Sequence, residues 1–258
     1  MRRALLPAVL ALAATGSGGV IEANAGTDCD LYTVTVRVTG QGEATRGPGV
    51  AKALGDVLVK VSGNPALALE PAAIALASEA AGLVDGWSYR DLMEGIPVHD
   101  EQGSRDRPYA LTVRFDPARI DAALKALDTA PWPEPRPSLT AVVTVTNGAT
   151  RFVLADDGAR GRDMREALAA AADQYGMQVT VPTEAAARDA PTPSPGGAAT
   201  LFGALDWDDG ALGWTAEWRM TTDGTKYRWT TGPVSFDEAF RAAVGGAAQI
   251  LSGHGAPN

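Results

Sequence analysis

The chain has 258 residues, with 22 Lys and Arg against 31 Asp and Glu, a formal net charge of -9 and 45% hydrophobic residues. That length suits about two compact domains, and the hydrophobic content argues against disorder. The acidic balance, with no cluster of Lys and Arg, excludes nucleic acid and anionic lipid surfaces as partners, because both require basic patches to neutralise phosphates.

The first elements in chain order concern targeting. Met1-Arg2-Arg3 is a basic start, Ala4 to Ala14 is a short apolar run, and Ala23-Asn24-Ala25 has the small-x-small form of a signal-peptidase site. Residues 1–25 are therefore predicted to be a cleavable signal peptide that delivers the protein to the periplasm. The run is far shorter than the roughly 20 apolar residues a membrane span needs, and no transmembrane segment is expected. Cys29 is the only cysteine, which rules out an internal disulfide, and Asp28 precedes it where a lipidated cysteine would follow Gly, Ala or Ser.

Residues 26–130 read as an α+β domain. Leu31 to Gly40 alternates apolar and polar residues, as a strand buried on one face does. After a Gly-rich turn, Val50, Leu54, Val57, Leu58 and Val61 recur at helical spacing until Ser62-Gly63-Asn64-Pro65 stops the helix. A second, Ala-rich helix is predicted from Glu70-Pro71 to about Leu83, followed by strands over Val84 to Arg90 and Tyr109 to Phe115. Asp116-Pro117 supplies an N-cap and a first-turn proline for a helix with Ile120, Ala123, Leu124 and Leu127 on one face.

Residues 131–138 carry Pro131, Pro133, Pro135 and Pro137, and cannot sustain a helix or a central strand. They are expected to link the first domain to a second α+β domain over residues 139–258. There, Leu139 to Val145 and Arg151 to Leu154 form a predicted hairpin about Asn147-Gly148. Asp163 and Glu166 suggest a capping box for a helix that turns Met164, Ala167, Leu168, Ala171, Ala172 and Tyr175 inward and ends at Gly176. Met177 to Val181 follows as a strand, and Ala190 to Gly197 as a loop by composition. Three strands, Ala199 to Trp207, Ala211 to Met220 and Lys226 to Thr231, make a meander, and Ser235 with Glu238 caps a final helix with Phe236, Phe240, Val244, Ala247 and Leu251 on one stripe.

Several of these segments resemble the family called domain of unknown function 2066, whose members are mostly exported bacterial proteins. The stretches concerned are Leu31 to Val36, Ala53 to Asn64, Leu111 to Asp116, Pro131-Trp132 with Arg136-Pro137, Tyr175-Gly176 before Val179 to Pro182, and Leu201 to Leu205 with Trp214, Glu217-Trp218 and Trp229. The resemblance implies export and an α+β architecture, and brings no catalytic motif. The interval from Pro182 to Leu201 departs from it, being short and Pro-rich where those proteins carry another helix. By element order the second half is also similar to the small α/β modules of envelope accessory proteins.

The residues that carry chemistry are sparse. Gly40-Gln41-Gly42 and Gly47 have the look of a phosphate loop, but Pro48-Gly49 replaces the Lys-Ser/Thr pair, which leaves a structural turn. His99 with Asp100, Glu101 and Asp106 lacks a second His or Cys element to close a metal site, and His254 lies in a Gly/Pro tail. No catalytic residue, metal ligand or cofactor is assigned. Trp207, Trp214, Trp218 and Trp229, with Asp208, Asp209 and Glu217, admit a sugar platform, but strand periodicity puts Trp214 and Trp218 on one face under the last helix, as core. Trp132 and Arg136, in the proline segment, are the expected interaction residues. The expectation is a non-enzymatic envelope accessory protein that binds an envelope protein partner. The alternative is a periplasmic glycan- or peptidoglycan-acting enzyme, or a ligand-binding protein, that uses carboxylates.

Overall fold

The alternating pattern of the first predicted strand holds in a computed structural model, which describes residues 30–96, 99–100, 103–104, 107–188 and 199–257. The predicted signal peptide, Cys29, Glu101, Asp106 and the loop from Ala190 to Gly197 lie outside the described residues, as do the side chains of His99 and Asp100. The chain is of mixed α+β class, with mainly antiparallel sheets backed by helices.

In the first half, β1 (Thr33–Thr39), β2 (Val84–Asp91) and β5 (Pro108–Phe115) form an antiparallel sheet of order β1-β5-β2, and β3 (His99–Asp100) pairs with β4 (Gly103–Ser104). Helix α1 (Glu43–Ser62) lays Val50, Leu54, Val57, Leu58 and Val61 on Val36, Val38, Leu111, Val113 and Phe115. It begins earlier than Val50. Gly49 lies inside the helix against the sheet, where a Cβ would sit 2.6 Å from Val38 and 2.9 Å from Leu111, so this glycine, which looks like part of a turn in the sequence, is there for close packing. The expected Ala-rich helix shrinks to α2 (Pro71–Ala75), followed by a 3-10 segment Leu76–Leu83. Its buried side chains are only Ala73 and Ala80, so little apolar area holds a regular helix in place. Asp116 accepts from the N–H of Arg119 at 3.1 Å and caps α3 (Pro117–Ala126), which buries Ile120 and Leu124.

In the second half, β6 (Leu139–Asn147) is the hub. It pairs antiparallel with β7 (Thr150–Val153), and parallel with β8 (Val179–Thr180) and β9 (Ala199–Asp208), while β10 (Gly213–Thr222) and β11 (Thr225–Val234) complete the sheet. Helix α4 (Arg162–Gln174), the short α5 (Glu184–Arg188) and α6 (Phe236–Leu251) are the helices of this half. The capping box at Asp163 and Glu166 does not form. The N-cap is Gly161, and Glu166 pairs with Arg162 at 3.0 Å instead. The strand expected from Met177 reduces to Val179–Thr180. Ser235 caps α6 as expected, accepting from the N–H of Glu238 at 3.2 Å.

The tryptophans of the meander belong to the core. Trp214, Trp218 and Trp229 are buried, Trp218 fully so, with its ring 6.0 Å from that of Phe240. Because an indole of this size fills space that no neighbour can collapse into, Trp218→Ala is expected to lower stability by about 3 to 5 kcal/mol in urea unfolding. An unchanged midpoint would show that the ring is not part of the core.

Candidate functional site in the cleft between the two halves

The proline segment sets the relation between the halves. The N–H of Trp132 donates to the carbonyl of Val61 at 2.8 Å, and its buried indole lies against Gly63. Gly63 ends α1 with φ of +73°, and a Cβ there would stand 2.7 Å from Trp132 and 2.8 Å from Ser252. Both the backbone conformation and the space demand glycine.

Arg136 follows, with its guanidinium 4.6 Å above the Trp132 ring. Nη1 donates to the carbonyls of Lys60 and Tyr175, each at 2.7 Å, and Nη2 to that of Val61 at 2.9 Å. The acceptors are the last turn of α1 and the end of α4. Carbonyls at helix C-termini have no partner within the helix and carry the negative end of the dipole. One delocalised cation thus caps helices from both halves.

Two further contacts cross the same junction. Lys60 is nearly buried, and its ammonium donates to the carbonyl of Thr33 at 3.3 Å and stands 3.6 Å from Asp173 of α4. Ser252, just beyond α6, donates through Oγ to the carbonyl of Gly63 at 3.1 Å. The core of the second half includes Val59 of α1 together with Trp132.

Next to this junction, and sharing Lys60 and Asp173 with it, opens a cleft of about 460 Å³. Its walls are Val34 and Thr35 of β1, Lys52, Asp56 and Lys60 of α1, Ala170, Asp173 and Gln174 of α4, and Arg241 of α6. Lys52 pairs with Asp56 at 2.6 Å, and Arg241 pairs with Glu238. The cleft is polar, charged and built by both halves, and suits a polar ligand surface better than an apolar small molecule.

Trp132 and Arg136, the residues the sequence picks out, are both at the junction of the halves and hold each other, and neither is in the lining of the cleft. The acids of the meander are elsewhere, in structural roles. Asp208 accepts from the N–H groups of Gly210 and Ala211, Asp209 from the Trp207 indole at 2.9 Å, and Glu217 pairs with Arg228 at 2.6 Å. Gly40 turns the chain with φ of +94° ahead of α1. Among the described residues no group of three His, Cys, Asp or Glu side chains is placed to hold a metal ion. His254 Nδ1 stands 2.8 Å from Ser252 Oγ. This Ser–His contact joins residues two apart at a helix end, with Oγ already engaged on Gly63, and among the described residues no acid orients the other face of the ring, so it does not make the relay a serine nucleophile needs.

Lys60, Asp173, Thr35 and Ser252 are cleft or junction residues that the sequence does not single out. Lys60 leaves one signal: it is the lysine in the otherwise apolar run Val57 to Val61. The others become visible only when distant segments meet.

Arg136→Ala removes three short charge-assisted bonds and is expected to cost about 3 kcal/mol or more in urea unfolding, since bonds to charged groups contribute about 1.5 to 3 kcal/mol each and do not sum fully. Arg136→Lys should recover only part of this, because one ammonium on a shorter side chain supplies neither the separate Nη2 bond to Val61 nor a planar face over Trp132. Equal stability of the lysine variant and the parent would contradict that geometry.

The junction also carries a titration signature. Burial, then the charge of Glu238, pushes the Tyr175 phenol up to about 12, and burial with the hydrogen bond to Asp121 does the same for Tyr32. Both folded values lie above the unfolded value of about 10, so their contribution is fully present below pH 10 and is lost as pH rises from about 10 to about 12. Tyr175→Phe is expected to flatten the alkaline fall in stability across that interval. The same fall in parent and variant would refute the assignment for Tyr175.

Residues 25–133 match the model of a family described as Domain of unknown function (DUF8605). This overturns the resemblance to domain of unknown function 2066. Most of the quoted stretches are alternating strands and a helix closed by Val61-Ser62-Gly63, and Gly63 sits there as a left-handed C-cap, chemistry that unrelated helices share. No curated protein and no solved structure matches the chain. The region similar to that family thus runs through the first half and stops in the proline segment, just past Trp132.

Proposed function

We propose that this is an exported accessory protein of the cell envelope that works by binding another protein, and that the cleft between its halves is the docking surface. The observation that supports this reading most is the cleft's construction. Its walls come from β1, α1, α4 and α6, and the neighbouring junction, where Arg136 bonds the ends of α1 and α4 and Lys60 reaches Asp173, holds those walls together. A preorganised concave surface lowers the ordering cost of association. The carboxylates that an enzymatic reading would use at Asp208, Asp209 and Glu217 are committed to turns and ion pairs. Export rests on the basic start, the apolar run and Ala23-Asn24-Ala25.

A photo-crosslinking amino acid at Ala170, exposed in the wall of the cleft, is expected to yield one defined adduct in intact cells, and the same probe at Leu212, an exposed turn residue of the meander, none. The adduct should persist in Asp208→Ala, Asp209→Ala and Glu217→Ala chains. Adducts from Leu212 alone would move the docking surface away from the cleft. Fractionation should recover a shortened soluble form from the periplasm, and an uncut form held in the membrane would contradict export through a removable signal.

A further inference from the structure

Trp218, Met220 and Trp229 turn toward α6 and the core of the second half, so strand alternation turns Arg219, Thr221 and Arg228 to the opposite face of the sheet. Register places Phe202 of β9 across from Arg219 of β10, and Arg219 across from Arg228 of β11. One row thus runs from Phe202 through Arg219 to Arg228, and Thr221 pairs with Lys226 in the next row. These residues line a groove of about 500 Å³, a size that suits a small ligand.

The row is electrostatically unfavourable as it stands. Side chains directly opposite in an antiparallel pair have Cβ atoms about 5 Å apart, and like charges there are destabilising. Arg219 and Arg228 are such a pair, and Lys226 adds a cation beside them. The carboxylate that answers them is Glu217, one row away, which pairs with Arg228 at 2.6 Å and stands 3.6 Å from Arg219. It is shared between two guanidiniums, and Lys226 forms no ion pair with any described acid, the turn residue Asp223 included. Three cations therefore meet one carboxylate, in a chain of formal net charge -9. The Arg219 and Arg228 side chains are 64% and 68% exposed, which leaves their remaining N–H groups open to a ligand. No run of basic residues marks the site in the sequence, because hairpin pairing is what brings these side chains together.

Beside the cations lies Phe202, half-buried in the same groove. The cation–ring contacts among the described residues are elsewhere, at Trp87 and Trp132, so no guanidinium covers the Phe202 ring. We propose that this groove binds a small organic oxyanion, a carboxylate or a phosphate ester carried on a flat apolar body, with Arg219, Arg228 and Lys226 on the oxyanion and Phe202 on the body. Guanidinium forks match both oxyanions, and Thr221 adds a hydroxyl donor. Binding relieves the repulsion that the empty row carries. The site faces away from α6 and is independent of the cleft.

The probes are 2-naphthoate and 2-naphthyl phosphate, which share a flat apolar body and differ in the oxyanion. Their counterparts are 2-naphthamide, which is neutral, and acetate, which has the oxyanion without the body. Added to the full-length protein, one or both naphthyl anions are expected to raise the melting temperature, as a ligand of the folded state does, and to shift the amide resonances of Phe202, Arg219 and Arg228. The tighter of the two identifies the oxyanion. Naphthamide and acetate are expected to bind about tenfold more weakly or worse. Arg219→Thr removes one of the opposed charges, and should melt no lower than the parent while its affinity falls about tenfold or more. Lys226→Gln breaks no ion pair, and should weaken binding without moving the melting temperature. No binding of either naphthyl anion, equal binding of naphthamide or acetate, or resonance shifts at Lys52 and Arg241 of the cleft in place of the groove would overturn the proposal. Full binding by either variant would do the same, and an Arg219→Thr chain that melts well below the parent would contradict it by making the row structural.

Discussion

The arrangement of this protein depends on one cation that closes two helices. Arg136 donates to carbonyls at the end of α1 and at the end of α4, which belong to different sheets and different cores. Each helix end alone would leave its carbonyls to water or to a local cap. Brought together, they form a concentrated negative site that a planar guanidinium fits and an ammonium does not. The Trp132 ring beneath supplies a face for the same guanidinium, and Gly63 makes room for the ring. The contact is therefore a chain of requirements: a glycine to admit the indole, an indole to carry the arginine, and an arginine to join the halves.

The cleft follows from that junction. With α1 and α4 tied at their C-terminal ends, the cleft lies between residues of both helices, and Val34 and Thr35 of β1 form one wall. Lys60 and Asp173, bridged to each other and through Lys60 to Thr33, line the cleft itself. Burying a lysine there is tolerable because a carbonyl and a carboxylate both face it. The two apolar cores meet through Val59, Ala68 and Trp132, and charged contacts of Lys60 and Arg136 lie beside them.

Much of the fold is legible in the sequence because its signals are local. The meander and the hairpin at Asn147-Gly148 show as alternating residues between turn formers, and Ser235 and Asp116 announce their helices through caps that the structure contains. Legibility fails where a residue serves a distant neighbour. Gly49 imitates a turn because the sheet needs it small, and Glu166 leaves its cap for Arg162. Trp132 and Arg136 stand out as residues without a place in either half, but the acceptors at Lys60, Val61 and Tyr175 are up to 76 positions away, and nothing in the local pattern names them. The same holds for the wall that α4 gives the cleft.

The central claim is that Arg136 holds the halves as one body around the cleft. Its most direct test is a distance distribution by electron spin resonance between labels at Glu79 and Lys226, exposed positions on the two halves, in a chain with Cys29 replaced by Ser. A single narrow distribution in the parent that broadens in Arg136→Ala is the result expected. A broad distribution in the parent, or the same narrow one in both chains, would contradict the claim.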